Sequence, residues 1–147
     1  MAPPVGVGTA VGIALGQVAI LVGGYWPAST ASDDATIDPS QYVFHFTSQA
    51  NADGIILSGQ INPSVSSGVA WVTSTPYPSA GLAQSQLALQ NTPQGFFAIP
   101  VQNLQTPLSW STVQGNAYGP GGGVEGTTPL AIPLNGPGGQ AIWVPLH

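Results

Sequence analysis

Very few side chains in this sequence can move a proton, attack an electrophile or hold an ion. The candidates are two histidines, His45 and His147, and five acids, Asp33, Asp34, Asp38, Asp53 and Glu125. Lysine, arginine and cysteine are absent. Without cysteine there is no thiolate nucleophile, no disulfide framework and no thiolate metal site. Without lysine or arginine there is no Schiff-base amine and no two-pronged clamp for carboxylate or phosphate. Serine is plentiful, but no Gly-x-Ser-x-Gly elbow presents one as a nucleophile. Asp53 and Glu125 could in principle serve glycoside hydrolysis, which needs two carboxylates. Nothing in their spacing brings them together, and Asp53 falls in the turn-like run Asn51-Ala52-Asp53-Gly54. His45 sits among aromatics in Tyr42-Val43-Phe44-His45-Phe46, where packing or hydrogen bonding is its expected role. The expectation is a protein that is not an enzyme and carries no cofactor.

Metal ligands are equally sparse. Asp33, Asp34 and Asp38 lie in the polar stretch from Pro27 to Pro39, which contains no glycine for the sharp turn of a calcium loop. That stretch reads as an exposed linker, and no metal site is expected. Gly119-Pro120-Gly121-Gly122-Gly123 and Gly136-Pro137-Gly138-Gly139 read as loops. Neither is a phosphate cradle, because that needs a lysine or a helix opening at the glycines. Sugar chemistry is better served. Trp71, Trp110, Trp143, Tyr77 and Tyr118 could line a platform, with Asn and Gln side chains supplying hydrogen bonds. The competing reading makes these aromatics core or interface residues, and clustering on one sheet face would separate the two.

Charge excludes more than it suggests. The formal net charge is −5 and charged residues are only 3% of the chain, against about a quarter in ordinary globular proteins. No cation is available to neutralise phosphates, so nucleic acid is excluded as a partner. Anionic lipid surfaces are repelled as well. A trypsin-like protease finds no cleavage site. Below about pH 4 the carboxylates protonate and the chain becomes nearly neutral, without crowded cations to drive it open. Such a surface suits an exterior exposed to acid and proteases. It is also too poor in charge to disperse as an isolated domain, so much of it is expected to be covered by other subunits.

The elements that must position these residues fall into three parts. In residues 1–26 bulky Val5, Val7, Val11, Ile13 and Leu15 alternate with Gly and Ala. As a strand this gives one bulky face and one flat face, with a glycine bulge at Gly16. Such an arm can be offered to a neighbour's sheet edge. As a helix, Gly8, Gly12 and Gly16 make small-xxx-small steps and residues 5–26 suit a membrane span with Tyr25-Trp26 at its end. Both readings stand. No cationic n-region marks a secretory signal in Met1–Pro4. Residues 27–40 are the acidic polar linker.

From Gln41 to His147 short β-patterned runs are separated by Gly and Pro turns. Tyr42, Phe44 and Phe46 alternate with Val43, His45 and Thr47. Asn51–Gly54 is read as a hairpin turn, and Leu82–Gln90 favours a strand over a short helix. Phe97-Ala98-Ile99-Pro100-Val101, Leu130-Ala131-Ile132-Pro133-Leu134 and Ile142-Trp143-Val144-Pro145-Leu146 share one scheme. Proline cannot donate to a ladder, so these strands should be edges or should end there.

The expected fold is all-β: a single β-sandwich or jelly-roll-like domain of about eight short strands, with an extended Gly-rich apolar N-terminal arm. The expected function is a structural, self-assembling subunit on the exterior of a virus particle, a decoration or minor shell protein. Its partners would be copies of itself and another shell protein, through Val5, Val7, Val11, Ile13, Leu15, Pro100, Pro133 and Pro145. Three alternatives stay open: an extracellular filament or surface-layer subunit, a carbohydrate-binding adhesion module, and a membrane-anchored virion protein held through residues 5–26.

Overall fold

Gly95-Phe96-Phe97-Ala98-Ile99-Pro100 has no polar side chain, so it is stable as a strand only with both faces covered. It is the central strand of the domain, and all six residues are buried. The structure, a computed structural model, describes residues 39–146. The elements in chain order are β1 (Tyr42–Thr47), α1 (Gln49–Ser58), β2 (Gln60–Ile61), β3 (Ala70–Val72), α2 (Ala80–Leu87), β4 (Gly95–Pro100), β5 (Ser109–Asn116), β6 (Gly119–Thr128), β7 (Ile132–Pro133), β8 (Asn135–Gly136), β9 (Gly139–Gln140) and β10 (Ile142–Pro145). The arm with Val5, Val7, Val11, Ile13 and Leu15 lies outside the described residues, as do most of the linker and His147. Among the described residues no helix is long and apolar enough to cross a membrane.

The domain is all-β, with two short helices. One sheet has the order β1-β4-β10 and another the order β3-β6-β5. They meet at a single reciprocal pair: Phe44 N–H donates to the Thr73 carbonyl at 2.9 Å, and Thr73 N–H to the Phe44 carbonyl at 2.8 Å. Two small ladders, β2-β7 and β8-β9, complete the strands. Strand alternation divides the core in two. On one face of the β1-β4-β10 sheet Phe44, Phe46, Phe96 and Ala98 pack with Tyr77 and with Ala83 and Leu87 of α2. On the other, Val43, Phe97 and Ile99 pack with Ala52 of α1, Ile61, Val72 and Ile132.

Three segments depart from the sequence expectation. Asn51–Gly54 is the middle of α1, not a hairpin turn. Ser48 caps that helix by accepting from Asn51 N–H, and Gly59 closes it at φ +80° with its N–H on the Ile55 carbonyl. Ala80–Leu87 is helical, capped by Ser79 and ending at Ala88 in the left-handed region. The glycine run from Gly119 is no loop but the start of β6. Its reason is steric: a Cβ at Gly119 would lie 2.6 Å from the Ser85 carbonyl oxygen of α2. Only a glycine edge lets that helix backbone come so close. The proline expectation holds in its simpler form, since β4, β7 and β10 all end at their prolines.

Candidate functional site

His45 stands where β1 and β3 part. Thr73 pairs with Phe44, so the backbone groups of Trp71, two residues earlier, also point toward β1. By then β1 is out of reach of the ladder. The imidazole of His45 occupies the opening, its Nδ1 lying 2.8 Å from the Trp71 carbonyl oxygen. A carbonyl can only accept, so Nδ1 carries the proton and the lone pair is on Nε2. The imidazole also lies against the Trp71 indole, ring centroids 4.7 Å apart. Burial disfavours the charged ring and outweighs the supporting bond to Trp71, so the pKa falls from 6.5 to about 4. At neutral pH the ring is uncharged. The sequence left acid unfolding without a driver; this buried histidine supplies one.

Above His45 opens a cleft of about 410 Å³ between β1, α1, β2 and the segment leading into β3. Its polar lining comes from Thr47, Asn51, Ser58, Gln60, Asn62 and Ser64, and its apolar lining from Ile55, Ile61, Val69, Ala70 and Trp71. Over the cleft α1 presents Gly54, where an added Cβ would meet nothing within 4 Å. Among the described residues no carboxylate lines the space. Asp53 lies on the exposed side of α1, where it accepts from Gln49 Nε2 at 2.9 Å. Glu125 lies in the middle of β6 opposite Ser111. Among the described residues no cluster of three His, Cys, Asp or Glu side chains could hold a metal.

The five aromatics proposed as a platform do not share a face. Trp71 pairs with Thr127, and Trp110 pairs with the adjacent Gly126, which puts the two indoles on opposite sides of the β3-β6-β5 sheet. Tyr77 is buried against Phe46, and Trp143 is half-buried against Phe97. Tyr118 is exposed. Only Trp71 reaches the cleft. Of the three interface prolines, Pro100 is buried at the end of the central strand and is closed to a neighbour; Pro133 is half-buried and Pro145 exposed. The cleft itself was not expected. Its local signals were His45 flanked by aromatics and Ser48 placed to start a helix.

Comparison with known protein families, with curated proteins and with solved structures finds no match to this chain.

Proposed function

We propose that this chain is a structural, self-assembling subunit of an outer layer, of the decoration or minor-shell kind found on virus particles. The observation that carries the reading is β5. Among the described residues it is the outer strand of its sheet, pairs only with β6, and is solvent-exposed at every position but Val113. A long exposed edge is normally blunted with charge or proline, and Ser109–Asn116 contains neither. The register shift between Thr112 and Gln114 confines the flat part to Ser109–Thr112, which includes Trp110 at 48% exposure. An uncharged edge of this kind suits pairing with another strand, either from a second copy or from another shell protein. The absence of lysine and arginine supports a layer away from packaged genome. The same chemistry would serve an extracellular filament or surface layer.

The test is light scattering after size exclusion on the full chain and on the Ser111→Lys/Thr112→Lys variant, without detergent. A defined oligomer that becomes a monomer in the variant is the expected result. A wild-type monomer at every concentration, or an oligomer indifferent to the two lysines, overturns the edge as the joint. A chain that disperses only in detergent points to the membrane-anchored alternative.

A further inference from the structure

A buried acceptor with no donor is costly, and the cleft contains one. His45 is only 7% exposed. Its Nδ1 is committed to Trp71, and among the described residues no protein group donates to Nε2. The remaining polar lining is hydroxyl and carboxamide, groups that both donate and accept, and among the described residues no charged side chain joins them. That excludes phosphate and carboxylate as anchors, since either would require a cation or a concentrated set of donors. It equally excludes an ammonium ligand, which would require a carboxylate. The volume falls within the range of small-molecule sites. Beside His45, Trp71 also lines the cleft; its indole is half-buried against the Phe44–Phe46–Phe96 cluster, and what it leaves uncovered is an apolar surface of the kind that the C–H face of a ring covers.

We propose that this cleft binds an uncharged, hydroxyl-bearing sugar ring, one of whose hydroxyls donates to His45 Nε2. The ring is held by the hydroxyls and amides of Thr47, Asn51, Ser58 and Asn62, with Trp71 as its apolar wall. Gly54 serves this site by absence: a side chain there would project into open space in the cleft. A helix interior otherwise selects against glycine by about 1 kcal/mol relative to alanine. Such a ring occurs both in glycans and in the ribose of a nucleoside, and the experiment separates the two sources. The site is independent of β5 and of how copies assemble.

The experiment follows the imidazole nitrogens of His45 by long-range proton–nitrogen NMR in the full chain, with His147→Gln to assign the signals. The probes are N-acetylglucosamine, galactose, adenosine and, as a charged control, glucose 6-phosphate. The expected result is a saturable upfield shift of His45 Nε2 with at least one neutral probe, and a weaker response to the phosphate. Response to the pyranoses alone identifies a glycan source, and response to adenosine alone a nucleoside. In Gly54→Leu, which keeps a good helix former in α1, affinity should fall by about tenfold or more. His45→Leu removes the acceptor and should also weaken binding, read on the amides of α1. The proposal is overturned if no neutral probe moves Nε2, if the phosphate binds best, or if Gly54→Leu binds as well as wild type.

Discussion

The two faces of the β1-β4-β10 sheet are covered by the same device and end up different. Each carries a short helix started by a serine cap, Ser48 for α1 and Ser79 for α2. On the α2 face the glycines of β6 let the helix backbone settle within van der Waals distance, and Phe44, Phe46, Phe96 and Tyr77 fill what remains. That face is sealed. On the α1 face only Ala52 of the helix is buried, and Gly54 leaves space above His45. The glycines do opposite work on the two sides. In a strand beneath a helix they close a gap, and in the helix itself they keep one open.

Three perturbations sharpen that contrast, and the largest acts on the open face. His45 has a folded pKa of about 4 against 6.5 when unfolded, so the unfolded chain binds the extra proton between these values. The contribution of the neutral ring is therefore complete above pH 6.5 and lost as pH falls toward 4. Over that window it amounts to about 3 kcal/mol, at about 1.4 kcal/mol per pH unit. Denaturant unfolding at several pH values should show this slope, and His45→Gln should flatten it. If the slope survives the substitution, the acid sensitivity arises elsewhere.

Next comes the sealed face. Gly119→Ala places a methyl against the Ser85 backbone, so α2 must move. A loss of about 1–3 kcal/mol is expected, measured as a lower denaturation midpoint. An unchanged midpoint would mean that α2 shifts freely and that the face is not closed by glycine. The smallest effect is a gain. Gly54→Ala puts a better helix former into α1 with no clash, and should raise stability by about 0.5–1 kcal/mol. A loss instead would show that the cleft is narrower than its open lining implies.

Some of this architecture was legible in the residues. The alternation of Tyr42–Thr47, the apolar run of β4, and the prolines at 100, 133 and 145 each carry a local signal, and each marks a strand or its end. The helices carry almost none. α1 buries one residue, and α2 buries Ala83 and Leu87, so neither shows the wide apolar stripe by which a helix is recognised. Asn51-Ala52-Asp53-Gly54 then reads as a turn, because the competing evidence is a single capping serine. β6 was hidden for a different reason. Glycine is depleted in strands, and its use there depends on α2, some thirty to forty residues earlier in sequence. The cleft depends on the parting of β1 from β3, which no local pattern encodes. The opposed placement of Trp71 and Trp110 likewise follows only from register.

That parting has a consequence for how the molecule comes apart. The two three-stranded sheets share one rung, the reciprocal amides of Phe44 and Thr73. Beside it only the His45 side chain, bonded to the Trp71 carbonyl, continues the join, so no second backbone rung keeps the first shut when it opens. Deuterium uptake at those two amides therefore times the separation of the sheets, while uptake along β4 times the loss of the whole domain. The molecule contains its own two-position clock, one hand for unzipping and one for collapse.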